Sequence, residues 1–171
     1  LQFVFMLRKN AVWSNGDAVT AEDFVYSWAR LLAPETASEY AYQGYYVKNG
    51  KAFNEGKIKD VKALGVQALD ANTLKDTLEN PTPFFMSLLY HHSLYPAHRK
   101  TIETHGQRWT RPENIVTNGA FVLERWEMNK IVTLKKNEKY WDAQTVKLAG
   151  ANFFPTDNLD TEEKMFRRGE L

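Results

Sequence analysis

Apolar and polar residues alternate at the start of the chain. Leu1, Phe3, Phe5 and Leu7 fall on one face, and Gln2, Val4 and Met6 on the other. A period of two predicts a strand whose first face carries the larger apolar groups. The run Ser14-Asn15-Gly16-Asp17 supplies residues that tolerate a tight reversal. Thr20 and Asp23 then stand three residues apart, the spacing of a capping box, ahead of a helix predicted over Ala21–Leu32. Within that helix Phe24, Val25, Trp28, Leu31 and Leu32 make one apolar stripe, and Pro34 closes it.

The pattern beyond Pro34 predicts a second helical stretch over Ser38–Lys48, broken by Asn49-Gly50, then a short turn of helix over Lys51–Glu55. Val66 and Ala68, the turn Asp70-Ala71-Asn72, and Leu74 and Leu78 read as a hairpin. Asp76 lies between those leucines on the apolar face. A strand edge or a face open to water is the expectation for it, because a buried unpaired carboxylate is costly. Asn80-Pro81-Thr82-Pro83 is extended, each proline pushing its predecessor out of the helical region. Short helices are predicted over Phe84–Tyr90 and Ala97–Thr104, a second hairpin over Ala120–Trp126 and Lys130–Lys135, a strand over Val146–Phe154, and a last helix over Leu159–Arg168. The class is α/β, with mixed sheets and flanking helices.

Charge narrows the function. Twenty-two basic side chains against 21 acidic ones leave a net +1, without the basic footprint of a nucleic-acid binder. There is no cysteine, which fits either side of a membrane, and no apolar run approaches the roughly 20 residues of a membrane span. Aromatics reach 13%, a supply of rigid contact area for a core or a ligand wall. Catalytic signatures are missing: Ser14, Ser27 and Ser87 have no GxSxG context, and neither GxxxxGK[ST] nor GxGxxG occurs. Gly65 and Gly119 read as backbone devices. Glu162-Glu163 suits the first turn of the last helix. His91, His92, His98 and His105 lack metal-site spacing, so no metal and no cofactor is expected.

Several runs resemble one family. Leu7 to Arg30, with Trp13-Ser14, Gly16, Thr20-Ala21, Asp23-Phe24 and Tyr26-Ser27-Trp28, is similar to a signature region of extracytoplasmic solute-binding proteins that serve ABC importers of peptides, above all their oligopeptide branch. Pro34–Ala41, Leu64–Asp70, Pro112–Ala120 and Gly169-Glu170-Leu171 follow in the same order. The resemblance implies part of a periplasmic-binding-protein type II-like lobe. It places residues 1–95 in the small lobe of the N-terminal half and residues 96–171 in the return to the main N-terminal lobe. It also implies an internal fragment of a longer protein, with any signal or lipidation cysteine upstream of Leu1 and a further lobe downstream that holds the charged anchor for the ligand's amino terminus. The expected location is extracytoplasmic, periplasmic or lipid-anchored at the outer face of the cell membrane. The expected partners are a peptide, a membrane permease and the absent lobe. Similar proteins carry an apolar residue where Asp76 stands.

Tyr40, Tyr42, Tyr45 and Tyr46 are the candidate ligand-binding residues. A tyrosine can lay its ring along a peptide and still use its hydroxyl. Tyr40 matches a tyrosine on the ligand side of the small lobe in oligopeptide-binding relatives, whereas Tyr42, Tyr45 and Tyr46 read more readily as core or rim. His91 falls at the lobe junction, where a place on the cleft rim is open to it. Trp13 and Trp28 read as core, and Trp109 and Trp126 as a seal between lobes. Two other readings stay open: a small hydrolytic enzyme using Asp76 or His91 and His92, and a protein-interaction module that exposes Tyr45 and Tyr46.

Overall fold

The computed structural model describes all 171 residues. The alternating start forms strand β1 (Gln2–Met6). Phe3 and Phe5 are half-buried while Val4 and Met6 face outward, as the pattern requires. β1 pairs antiparallel with β3 (Thr73–Thr77), which pairs on its other side with β2 (Val66–Asp70), giving the order β1-β3-β2. Helix α1 (Ala21–Leu32) lies on the inner face of this sheet. Its start is fixed as expected: Asp23 Oδ2 accepts the Thr20 backbone N–H at 2.8 Å and the Thr20 hydroxyl at 3.1 Å. The reversal before it turns at Gly16, whose φ of 100° favours glycine.

Trp28, Leu32, Val47, Leu64, Val66 and Phe85 are among the buried residues of one core beneath α1. At Gly65 two backbones cross closely. Its N–H donates to Lys48 O at 2.9 Å and its carbonyl accepts from Thr77 N at 2.8 Å. A Cβ there would collide with the Thr77 carbonyl, so this glycine is a packing requirement.

The segment expected as a helix over Ser38–Lys48 is instead a 3-10 helix over Ala41–Tyr46. Ala37 enters in the left-handed region at φ 47°, and Val47 leaves in extended backbone to bridge Leu78. Gly44 is pressed against Leu32, so close backbone packing outweighs helix propensity here. Short helices α2 (Gly50–Asn54), α3 (Phe85–Leu88) and α4 (Arg99–His105) follow near their expected places.

Asp76 overturns its expectation. It sits on the central strand, with Phe3 and Val66 as cross-strand neighbours. Its exposure is 0%, and neither carboxyl oxygen has a hydrogen-bond partner. The register places it on the inner face, beside Leu74 and Leu78 in the sequence of alternation, so the strand cannot turn it outward without exposing both leucines.

The rest of the chain builds a second antiparallel sheet, β4 (Phe121–Glu127), β5 (Ile131–Lys136) and β6 (Gly150–Phe153), in that order, and ends in helix α5 (Leu159–Arg167). β6 is shorter than the expected Val146–Phe154, and a 3-10 turn over Ala143–Thr145 precedes it. Beyond Ile102 only Asn137 is buried. Trp126, Phe153, Leu159 and Phe166 are exposed. The two sheets are tied by polar bonds: Ser14 N–H donates to Thr117 O at 2.7 Å, and Thr117 N–H returns a bond to Ser14 Oγ at 3.2 Å. The Arg8 guanidinium also lies over the Trp141 ring at 3.8 Å.

Candidate functional site

Tyr40 stands at the mouth of a hollow of about 400 Å³. One wall is the C-terminal half of α1, with Ser27, Arg30 and Leu31. The segment 92–97 and Trp109 close the other side. This geometry follows from two bonds that dock the 94–95 backbone on α1: Trp28 Nε1–H donates to Leu94 O at 2.9 Å, and the Ser27 hydroxyl donates to Tyr95 O at 2.8 Å.

An aromatic cluster forms at the rim. The His91 and His92 rings stack at 4.4 Å between centroids. Tyr40 lies 4.9 Å from His91 and 5.2 Å from His92, nearly edge-on to the second. His91 is tethered locally, its Nδ1 facing Ser93 Oγ at 2.8 Å and accepting the Ser93 backbone N–H at 3.3 Å. Arg30 lies over Trp109 with its guanidinium carbon 5.8 Å from the ring centroid. The hollow therefore offers flat aromatic surfaces, one cationic group and the Ser38 side chain, which suits a ligand with both apolar and polar parts.

The four candidate tyrosines do not converge. Tyr40 and Tyr42 keep exposed rings 6.3 Å apart. Tyr42, Tyr45 and Tyr46 border a different concavity with Glu79, Asn80 and Thr82. The Tyr45 hydroxyl is committed to Asn54 Oδ1 at 2.6 Å, and Asn54 in turn donates to Leu32 O at 3.0 Å. Tyr46 meets Phe84 edge-on at 5.4 Å. Tyr45 and Tyr46 are half-buried, so neither presents the exposed patch that an interaction module built on them requires.

Arg30 and Ser38 lie inside the resembling runs Leu7 to Arg30 and Pro34–Ala41, but nothing in the sequence marks them as ligand groups, and only the fold brings them beside Tyr40. His91 and His92 are brought together at the rim of this hollow, and Asp76 lines a separate one. No group of three or more His, Asp or Glu side chains is placed to hold a metal ion.

Comparison with known proteins gives concordant results. The family model described as "Bacterial extracellular solute-binding proteins, family 5 Middle" matches residues 1–171. The periplasmic oligopeptide-binding protein OppA of Salmonella typhimurium is 43% identical over 171 residues, covering 99% of this chain and 31% of that protein. The probable deoxycholate-binding periplasmic protein YgiS of Escherichia coli is 42% identical over 174 residues, covering 99% and 32%. Listeria monocytogenes OppA, solved bound to peptide, superposes with a TM-score of 0.95 at 36% identity, covering 99% of this chain and 34% of that one. The chain spans about a third of the length of the relatives it matches.

Proposed function

The chain belongs to family 5 of the bacterial extracellular solute-binding proteins, and from that premise we propose that it is part of a receptor for short extended peptides feeding an ABC importer. In this reading the Tyr40 hollow is one side of the ligand cleft. A peptide lies against the Tyr40, His91 and His92 rings while main-chain hydrogen bonds from both sides of the cleft hold its backbone. Closure around the ligand is a hinge transition, driven by contacts that only the closed state makes. No bond is made or broken, the work is extracytoplasmic, whether free in the periplasm or lipid-anchored, and the membrane permease receives the loaded form.

The observation that carries this reading is the near-complete superposition on a peptide-bound relative, with an open aromatic hollow on this chain. Two further facts support an opposing lobe beyond these residues. The chain spans about a third of its relatives' length. The second sheet and α5 leave Trp126, Phe153, Leu159 and Phe166 in solvent. A division near Tyr95-Pro96, with residues 1–95 as small lobe and 96–171 as return into the main lobe, belongs to the same proposal. It is supported by two sheets that share no strand. Among the tyrosines, Tyr40 is the proposed ligand contact, with Tyr42 beside it and Tyr45 and Tyr46 in supporting positions.

The test is a chimera in which residues 1–171 replace the matching third of Salmonella OppA, titrated calorimetrically with tripeptides and tetrapeptides and, separately, with deoxycholate. Peptide heats that saturate support the proposal. Saturation by deoxycholate alone would move the ligand class to amphipathic steroid acids.

A further inference from the structure

A second, smaller hollow of about 150 Å³ lies between the first sheet, α1 and the 89–96 segment. Phe5, Phe24, Trp28, Leu74 and Leu94 line it, together with Asp76. Trp28, Leu74, Leu94 and Asp76 are buried, while Phe5 and Phe24 keep partial exposure and form its rim. It adjoins the Tyr40 hollow across Tyr95 and Pro96 but shares none of the aromatic cluster there.

Asp76 is the one charged side chain in this lining, and it lacks a donor. The two lining groups that could donate are engaged elsewhere: Trp28 Nε1–H bonds Leu94 O at 2.9 Å, and the Tyr95 hydroxyl bonds Tyr90 O at 3.0 Å. The cross-strand neighbours Phe3 and Val66 have nothing to give. An apolar cavity of this size accommodates a benzene-sized guest. A carboxyl group left without partners in such a place is costly, and a guest that brings a donor removes that cost. An ionised carboxylate only accepts, and its strongest partner is a charged N–H donor.

We propose that this hollow binds a small primary amine with an apolar body about the size of a benzene ring, its ammonium group paired with Asp76 and its body against Phe5, Phe24, Trp28 and Leu74. This site is independent of the peptide reading, since none of its ligand-facing groups belongs to the Tyr40 cluster.

The experiment is an amide-resolved NMR titration of the 171-residue chain with benzylamine, benzyl alcohol and toluene at about pH 8, where benzylamine is protonated and the pH lies above the value of about 7 to which burial pushes the Asp76 carboxyl. Benzylamine is expected to shift amides of the lining residues and to bind roughly tenfold tighter than benzyl alcohol, with toluene weaker still. In Asp76→Asn and Asp76→Val the preference for the amine should disappear. Equal binding of benzylamine and benzyl alcohol to the unmodified chain, or no shift at the lining amides with either, overturns the proposal without reference to any variant.

Discussion

His98 Nε2 lies 3.0 Å from Asp17 Oδ2, a contact that closes the reversal after Trp13 onto the start of α4 across 81 positions of sequence. The imidazole is buried, stands edge-on to Trp13 at 5.2 Å between centroids, and places Nδ1 2.7 Å from Thr101 Oγ1. A hydrogen bond from Asn15, and next one from His98, hold the Asp17 carboxyl below the usual carboxylate range. Stability from this contact is therefore present above the ordinary carboxylate pKa and is lost as pH falls through the lowered one.

His98→Ala removes the Asp17 and Thr101 contacts and leaves a hole beside Trp13. The expected loss is about 2 kcal/mol, read as a lower urea midpoint with an unchanged slope. A midpoint equal to that of the unmodified chain would mean that the polar link carries no stability.

Asp76 has the opposite pH signature. Burial pushes its carboxyl up to about 7. The native state then holds a proton that the unfolded chain releases at ordinary carboxylate pH. Its contribution is full below that ordinary range, falls as pH rises through neutrality, and levels off above. The span is on the order of 4 kcal/mol. Asp76→Val should raise the urea midpoint at about pH 8 and flatten the decline between acid and neutral pH. Urea titrations of both chains across that range check it, and parallel pH profiles would count against a buried carboxyl.

Asp23 serves three donors. Beyond its two bonds to Thr20, its Oδ2 accepts the Trp13 Nε1–H at 3.3 Å. Asp23→Ala should destabilise the chain by about 1 kcal/mol through loss of the cap, and Asp23→Asn by less. Chemical denaturation measures both. A larger loss for the asparagine variant would contradict the capping role.

How much of this was legible depended on whether local signals agreed. For α1 the cap, the apolar stripe and Pro34 all pointed to Ala21–Leu32, and the helix has those bounds. Over Ser38–Lys48 the pattern predicts a helical stretch, but the close approach of Gly44 to Leu32 and the bridge from Val47 to Leu78 tighten it into a 3-10 segment. Neither contact leaves a periodic trace. Asp76 stood out as inconsistent with its strand, yet its burial depends on β1 arriving from far upstream to make β3 central. At the candidate site Tyr40 was visible by resemblance. Its contact with the His91 and His92 rings, and its proximity to Ser38 and Arg30, depend on the docking of residues 94–95 against α1.

Tyr40→Ala should weaken peptide binding by the chimera about tenfold, because one flat face and one hydroxyl are lost from the cleft. Tyr45→Phe, which removes a hydroxyl already engaged by Asn54, should leave peptide affinity unchanged while lowering stability by about 1 kcal/mol. Calorimetry and denaturation on the two variants separate ligand contact from support, and equal affinities for the Tyr40→Ala and unmodified chimeras would remove Tyr40 from the site.

Under the proposed function these residues grip a ligand only together with a second lobe. Calorimetric titration of the same tetrapeptide into the 171-residue chain and into the chimera measures it directly. The expected result is saturable binding by the chimera and affinity weaker by at least about a hundredfold for the chain alone. Equal, tight binding by the chain alone would contradict the account.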